Sequence, residues 1–92
     1  MIKSFRHKGL KTFFESGSLK GIQSKHNKRL ALILDILDAM TCIDDIRLPG
    51  LDLHLLRPKQ LQIYAVKVSG NWRVTFRFES GDVYIVDYLD YH

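Results

Sequence analysis

The chain has 92 residues, of which 46% are hydrophobic and 11% aromatic, so we expect one domain, residues 1–92, around one core. No segment reaches the roughly 18 consecutive apolar residues of a membrane-spanning helix. The basic start of the chain has no apolar segment typical of a secretion signal. We therefore expect a cytoplasmic protein that has no membrane partner.

The one cysteine, Cys42, cannot form an internal disulfide. Its neighbours Met40 and Ile43 favour a buried structural thiol. A reactive thiolate needs an electropositive setting, and Asp44 and Asp45 provide the opposite, so we do not expect a nucleophile here.

Positive charge is concentrated at the start of the chain. Residues 1–30 contain eight lysines and arginines and one glutamate, a net charge of +7, whereas residues 31–56 have a net charge of −4 and residues 57–92 of +1. A basic segment attracts the phosphates of nucleic acids, but a solvated surface that keeps a protein soluble has the same composition. The charge pattern indicates a polyanionic partner without identifying it.

The first half of the chain predicts one strand and two helices. Residues 2–7 alternate weakly, as in a strand, and a short helix follows over residues 10–17. A longer helix covers residues 24–40, with apolar side chains at helical spacing. This stripe, which should face the core, consists of Leu30, Ile33, Leu34, Leu37 and Met40. A loop with a Pro-Gly pair, residues 44–51, ends this half.

The second half contains four strand-like runs, at residues 52–57, 62–68, 71–79 and 83–88. The links between the last three runs are short and contain glycine, which is typical of β-hairpins. These three strands should form an antiparallel meander. The sequence therefore predicts an α+β fold in which the N-terminal strand and two helices pack on one face of an antiparallel sheet.

The run at residues 71–79 predicts which face of the sheet is which. The even-numbered residues are apolar: Trp72, Val74, Phe76 and Phe78. The other parity includes Arg73 and Arg77 and should form an open, cationic face. A guanidinium can hold a phosphate through two hydrogen bonds, so both arginines are candidate RNA ligands. For Arg73, a cross-strand ion pair with Asp87 or Glu79 fits equally well.

The chain ends in Asp90, Tyr91 and His92, which carry a carboxylate, a phenol and an imidazole. Terminal residues are usually poorly ordered. Here the preceding run is rich in β-branched and aromatic residues and would hold the three side chains at the end of a rigid strand. We interpret all three as candidate catalytic residues.

His54 lies in an apolar strand, where a histidine is more often structural than catalytic. Two cations that follow it, Arg57 and Lys59, favour a site in which they bind phosphate. These residues would converge with the three terminal ones if the first strand of the sheet lies near the last. Such a set suits metal-free RNA cleavage, in which a base activates the ribose 2′-hydroxyl, cations stabilise the phosphorane and an acid protonates the leaving 5′-oxygen.

A metal site is disfavoured by the spacing of the possible ligands. His54, Asp90 and His92 would supply two imidazoles and a carboxylate, but the sequence has no His-x-x-x-His helix and no cysteine pair. It also lacks a glycine-rich phosphate loop and a serine-nucleophile elbow. We therefore expect no metal and no cofactor.

Five segments carry a resemblance to a known family: residues 2–10, 53–57, 71–76, 81–84 and 90–92. They resemble the HigB toxins, the plasmid-maintenance killer group of the RelE/ParE superfamily. The Asn-Trp-Arg strand and the Asp-Tyr-His end are the most specific parts. The resemblance implies a RelE-like fold, with a helical pair packed on an antiparallel sheet.

The resemblance also implies an activity and partners. HigB toxins are ribosome-dependent endoribonucleases that cut mRNA in the ribosomal A site and so halt translation. A HigA antitoxin, which is a helix-turn-helix protein, neutralises each toxin. The toxin–antitoxin complex represses its own operon, so the toxin would meet operator DNA only through the antitoxin.

Carried over by position, the resemblance implies an active site formed by His54, the basic residue at position 57, Arg73, Asp90, Tyr91 and His92. Many relatives have Lys-Gly where this chain has Arg57-Pro58. An arginine can stabilise phosphate charge but stays protonated, so it cannot act as an acid or base. Lys59 would take the place of the family's lysine only if the loop carries its side chain into the site. We expect His54 to be the base and His92 the acid or a phosphate ligand.

Two other functions remain open from the sequence. A toxin of the same fold can act on a protein target such as gyrase, as ParE relatives do, but these toxins usually lack the acid and base residues. A non-catalytic RNA-binding module would explain the basic start of the chain but not its Asp-Tyr-His end.

Overall fold

Two helices and four strands make up the fold in a computed structural model that describes residues 1–91. The helices are α1 (Lys8–Ser16) and α2 (Asn27–Ala39), and the strands are β1 (His54–Leu55), β2 (Ile63–Ser69), β3 (Trp72–Glu79) and β4 (Asp82–Asp90). The strands form one antiparallel sheet in the order β1-β2-β3-β4. Both helices pack on one face of the sheet and share a core with it. The predicted α+β class is confirmed.

The N-terminal segment lies along β4 and extends the sheet on that side. Ile2 and Phe5 form isolated parallel bridges with Val83 and Val86. Backbone hydrogen bonds join the two segments, among them one of 2.7 Å from Lys3 N to Val83 O. The predicted strand at this position is therefore wrong as a continuous element, because β4 is irregular between the two bridges.

Side-chain and backbone caps define both ends of α1. The Nδ1 atom of His7 accepts a hydrogen bond of 2.9 Å from the Leu10 N–H, which caps the start of the helix. At the other end Gly17 takes the left-handed backbone conformation, with φ of 78°, and its N–H donates to Phe13 O. The helix thus begins two residues before the predicted start.

The apolar stripe predicted for the longer helix is confirmed. Leu30, Ile33 and Leu37 are fully buried, and Leu34 and Met40 nearly so. The predicted helix over residues 24–40 is divided, because Ser24–His26 form a 3-10 turn before α2 begins. No helix in the described residues 1–91 has the length and hydrophobicity needed to cross a membrane.

The first sheet strand and the cysteine differ from their predictions. The strand predicted at residues 52–57 is reduced to the two residues of β1. Cys42, expected to be buried, is exposed at the start of the 3-10 turn Ile43–Ile46, and its thiol lies 3.4 Å from Asp45 Oδ1. The hydrogen bond from the Thr41 N–H lowers the pKa of Asp45, and hydrogen bonds from Cys42 add to this effect.

Candidate active site

The predicted alternation of side chains along β3 is confirmed. Val74 and Phe76 are fully buried between the sheet and the helices. Trp72 lies on the same side and stacks on Tyr88, with 4.6 Å between the ring centroids. Arg77 has the opposite parity and is exposed. We call the side of the sheet away from the helices the open face.

A β-bulge in β4 changes which of its residues reach the open face. Thr75 pairs with Asp87 and Arg77 pairs with Tyr84, so β4 has one residue more than β3 between these pairs. Ile85 lies in this interval and has a φ of 49°, in the left-handed region. The extra residue shifts the alternation of the strand by one position.

The shift explains the burial pattern of β4. Val83 before the bulge and Val86 and Tyr88 after it are all buried, although their numbers differ in parity. The alternate residues after the bulge, Asp87 and Leu89, therefore lie on the open face.

A hollow of about 210 Å³ opens on this face. Its polar lining is Arg6, Thr75, Asp87 and Tyr91, and its apolar lining includes Leu56, Ile63 and Leu89. Leu56 directly follows β1 and Tyr91 directly follows β4, which are the two edges of the four-stranded sheet. Because residues from both edges border one hollow, the open face is concave. We call this cavity the open-face hollow.

His54 lies on the open face but does not lie beside the end of the chain. It pairs with Ala65, which pairs with Thr75, which pairs with Asp87, so the four residues form one row across the sheet. Three strand spacings, about 14 Å along the sheet, separate the ends of this row. The condition for convergence, that the first strand of the sheet lies near the last, is not met, since β1 and β4 lie at opposite edges of this sheet.

One hydrogen bond determines the tautomer of the His54 side chain. Its Nδ1 lies 2.7 Å from the backbone oxygen of Asp52. A carbonyl oxygen can only accept, so Nδ1–H donates and the Nε2 atom of the neutral ring carries the lone pair. The side chain is 63% exposed. Nε2 is thus the ring atom on which His54 can accept a proton from a substrate.

The two arginines of β3 have different partners. Arg73 donates from NH1 to the backbone oxygens of Gly70 (2.7 Å) and Trp72 (3.0 Å), so its guanidinium lies against the β2–β3 turn. Arg77 forms an ion pair of 3.1 Å with Glu79. That carboxylate competes with any phosphate for Arg77, whereas the Arg73 partners are neutral.

Asp87 is one of the two carboxylates that the sequence predicts as alternative partners of Arg73. It lies 3.8 Å from the Nε atom of Arg6, on the N-terminal segment. The other carboxylate, Glu79, pairs with Arg77. The predicted alternative for Arg73, an ion pair with one of these two groups, does not occur among the described residues.

Arg57 and Lys59 lie together in the loop between β1 and β2. Both are exposed and line a second hollow, of about 550 Å³, with Pro58 and Gln60. Lys59 begins the 3-10 turn Lys59–Leu61, which folds the loop back toward β2. The loop therefore brings both cations to one hollow, close to the end of the strand that carries His54.

Asp90 and Tyr91, the two terminal candidates that the structure describes, lie on opposite sides of the sheet. Asp90 ends β4 opposite Trp72 and has the parity of the buried Tyr88, so its side chain lies on the helix side of the sheet. Tyr91 borders the open-face hollow, and its N–H donates to Asn71 O at 2.9 Å. His92 lies outside the described residues.

A buried histidine that no sequence motif indicates supports the end of β4 from the helix side. His26 is only 3% exposed, and its Nδ1 lies 2.6 Å from the Tyr88 hydroxyl. The same hydroxyl accepts a bond of 3.4 Å from the Gln23 N–H, so its proton is directed to His26. His26 also contacts the Trp72 ring edge to face, at 5.6 Å.

Burial determines the charge states in this cluster. It lowers the pKa of His26, with a smaller contribution from the neighbouring Lys25, and it raises the pKa of Tyr88. Both rings are therefore neutral near pH 7. The His26 Nε2 atom is buried and has no hydrogen-bond partner within residues 1–91. Histidine and tyrosine, whose rings carry polar atoms, are the residue types that indicate such a cluster in a sequence. His26 and Tyr88 are 62 positions apart, however, so their contact cannot be deduced from local spacing.

This fold and the residues on its open face can be compared with known proteins. A family model for HigB, described as a RelE-like toxin of a type II toxin–antitoxin system, matches residues 3–92. The chain belongs to the HigB-like toxin family. The resemblance predicted from the sequence is thereby confirmed, and membership in a toxin–antitoxin family implies an antitoxin partner.

Two relatives show how far the similarity to HigB extends. The chain is 40% identical over 92 residues to the endoribonuclease HigB of Proteus vulgaris, and the alignment covers the whole of both chains. It is 36% identical over 90 residues to an uncharacterised protein of Haemophilus influenzae, covering 96% of this chain and 88% of that protein. The region aligned with the Proteus vulgaris protein therefore spans every element of the fold.

Proposed function

We propose that this HigB-family toxin is an endoribonuclease that cuts mRNA on the ribosome and thereby stops translation. The observation that carries the proposal is His54, whose Nδ1–H is held by the Asp52 carbonyl so that Nε2 is the proton acceptor on the concave face. Its support is the full-length similarity to the Proteus vulgaris endoribonuclease. Ribosome dependence follows from the resemblance to the HigB toxins.

In the proposed reaction, His54 Nε2 takes the proton of a ribose 2′-hydroxyl, and the resulting oxygen attacks the adjacent phosphorus. The P–O5′ bond breaks, which leaves a 2′,3′-cyclic phosphate and a 5′-hydroxyl. Negative charge grows on the phosphorane oxygens, so nearby cations stabilise the transition state more than the ground state. Arg73, Arg57 and Lys59 are the cations that we assign to this role.

The leaving 5′-oxygen needs a proton from an acid. We assign this role to His92, with Asp90 as a residue that orients it. We also assign Tyr91 to the site, since it borders the open-face hollow and its phenol can donate a hydrogen bond. We assign Arg77 a smaller part in RNA binding, because Glu79 already neutralises it.

The proposed partners follow from the family. The antitoxin would be a HigA-type helix-turn-helix protein, and the toxin would meet operator DNA only through it. The ribosome and its mRNA would be the target, which places the toxin in the cytoplasm.

The test is induction of the toxin without its antitoxin, followed by mapping of new 5′ ends on cellular mRNA. Wild-type protein should halt growth and produce cuts within translated regions. His54→Ala should reduce cleavage by about 100-fold or more, the typical contribution of a positioned base. Its thermal stability should be unchanged because the side chain is exposed. Thr12→Ala, exposed on α1 away from the open face, is the control and should cut normally.

Each alternative gives a different result. Growth arrest with intact mRNA and blocked DNA replication would identify a protein target such as gyrase. No growth arrest and no cuts, with RNA still bound, would identify a non-catalytic RNA-binding module. Full cleavage by His54→Ala would show that another residue is the base.

A further inference from the structure

The open-face hollow contains polar groups that the proposed reaction does not use. Asp87 is held in place because the Tyr88 N–H donates to its Oδ1 at 2.9 Å. Its Oδ2 lies 3.8 Å from Arg6 Nε, which is beyond hydrogen-bonding distance. The carboxylate and the guanidinium therefore form an ion pair without a direct hydrogen bond, so each can still hydrogen-bond a ligand. Thr75, the cross-strand neighbour of Asp87, adds a hydroxyl.

The lining of the hollow suits a flat, uncharged ring with a polar edge. Leu56 and Leu89 provide an apolar surface, and the Tyr91 ring stands at the border. RNA-binding proteins hold unstacked bases in this way, with the faces against apolar or aromatic groups and the edges hydrogen-bonded. A phosphate fits poorly, because it would lie against the Asp87 carboxylate.

Resting on the proposed function, we propose that the open-face hollow binds one nucleobase of the RNA, a short way along the strand from the cleaved bond, and reads its edge. A carboxylate only accepts hydrogen bonds and a guanidinium only donates them. The bound base must therefore present an N–H group to Asp87 and an acceptor to Arg6. The hollow would select a base at one position relative to the cut, while His54 and Arg73 act on the phosphodiester whatever its neighbours.

The test compares the base preferences of cleavage in wild-type, Asp87→Asn and Asp44→Asn proteins, read from 5′ ends mapped across cellular mRNA. Asp87→Asn replaces a group that only accepts with one that also donates. It should change the preference at one position relative to the cut by about 5-fold or more, the lower range for one well-made base contact. Asp44→Asn is the matched control, since it makes the same exchange at a carboxylate that is ion-paired with Arg47 and lies outside the hollow. Its preference should equal that of the wild type.

The other outcomes overturn the proposal and are distinguishable from one another. An unchanged preference in Asp87→Asn, with normal cleavage, shows that the hollow reads no base and leaves the proposed nuclease intact. A uniform loss of cuts makes Asp87 a residue of the chemistry. Normal cleavage with weakened antitoxin binding makes the hollow a protein contact. Absence of cuts in the wild type overturns the nuclease and the base site together.

A second variant keeps the proposal testable if Asp87→Asn does not fold. Thr75→Val keeps the shape of the side chain and removes only the hydroxyl. It should change the preference at the same position as Asp87→Asn, by a smaller factor. Wild-type preference in a folded Thr75→Val protein, with Asp87→Asn unfolded, would overturn the proposed reading of the edge.

Discussion

The two faces of β3 differ sharply although they share one backbone. Phe76 is fully buried against the core, whereas its neighbour Arg77 is exposed and paired with Glu79. The buried face joins the sheet to the helices, and the open face carries the row from His54 to Asp87. Changes to the buried face should therefore alter stability, and changes to the open face should alter activity.

Two histidines show the same difference. His26 is buried, neutral and bonded through Nδ1 to a tyrosine hydroxyl. His54 is exposed, with Nδ1 bonded to a backbone carbonyl and Nε2 left as the acceptor. The residue type is the same, but only the second is in a position to exchange a proton with a substrate. The environment of the ring therefore determines which histidine is a candidate base.

The largest expected effect is on the buried face. Phe76→Ala should lower the free energy of unfolding by about 3–5 kcal/mol, the usual cost of emptying a buried phenylalanine site. The substitution also removes the stacked contact between the Phe76 and Tyr64 rings, whose centroids are 5.8 Å apart. Urea denaturation of the purified protein measures the change, and Arg77→Ala should alter it by about 1 kcal/mol at most. Similar losses in the two variants would show that the two faces do not differ in their contribution to stability.

A smaller effect is expected from Arg73 on the open face. Arg73→Ala should lower the cleavage rate by about 10-fold or more, a little over 1 kcal/mol of transition-state stabilisation, and Arg73→Lys should recover only part of it. Single-turnover cleavage on programmed ribosomes measures the rate. Arg77→Ala should reduce the rate less, because its guanidinium is already paired with Glu79. Full activity of Arg73→Ala would leave this arginine with only its contacts to the β2–β3 turn.

Much of the contrast between the faces could be predicted from the sequence. The period-2 alternation at residues 71–79 and the helical stripe from Leu30 to Met40 are dense, regular patterns, and both predicted burial correctly. The hairpins followed from short glycine-containing links. These features depend on local spacing, which a sequence displays directly.

The composition of the open-face hollow could not be predicted in the same way. It depends on the bulge at Ile85, which has neither a glycine nor another local indicator and yet moves Asp87 to the open face. It also depends on the N-terminal segment running beside β4, which brings Arg6 next to Asp87. The opposite placement of β1 and β4 is likewise a long-range property of the sheet.

The smallest expected effect concerns the pH dependence of stability on the buried face. Burial, and secondarily Lys25, lowers the pKa of His26 below its ordinary value of 6.5. Above that pH the ring is neutral in both states and contributes nothing to the pH dependence. As the pH falls through 6.5, the unfolded chain takes up a proton that the folded protein resists, so the free energy of unfolding decreases.

The experiment compares denaturation of wild-type and His26→Asn proteins at pH 7.5 and 5.5. An asparagine carries an oxygen near the position of Nδ1 and can accept from the Tyr88 hydroxyl, but it does not titrate in this range. The wild type should therefore lose more stability on acidification than the variant does. His7, whose ring also contacts Tyr88, is the same in both proteins. Equal losses in the two proteins would show that His26 is protonated in the folded state as readily as in the unfolded chain, and the buried face would then contain a charge that its surroundings tolerate.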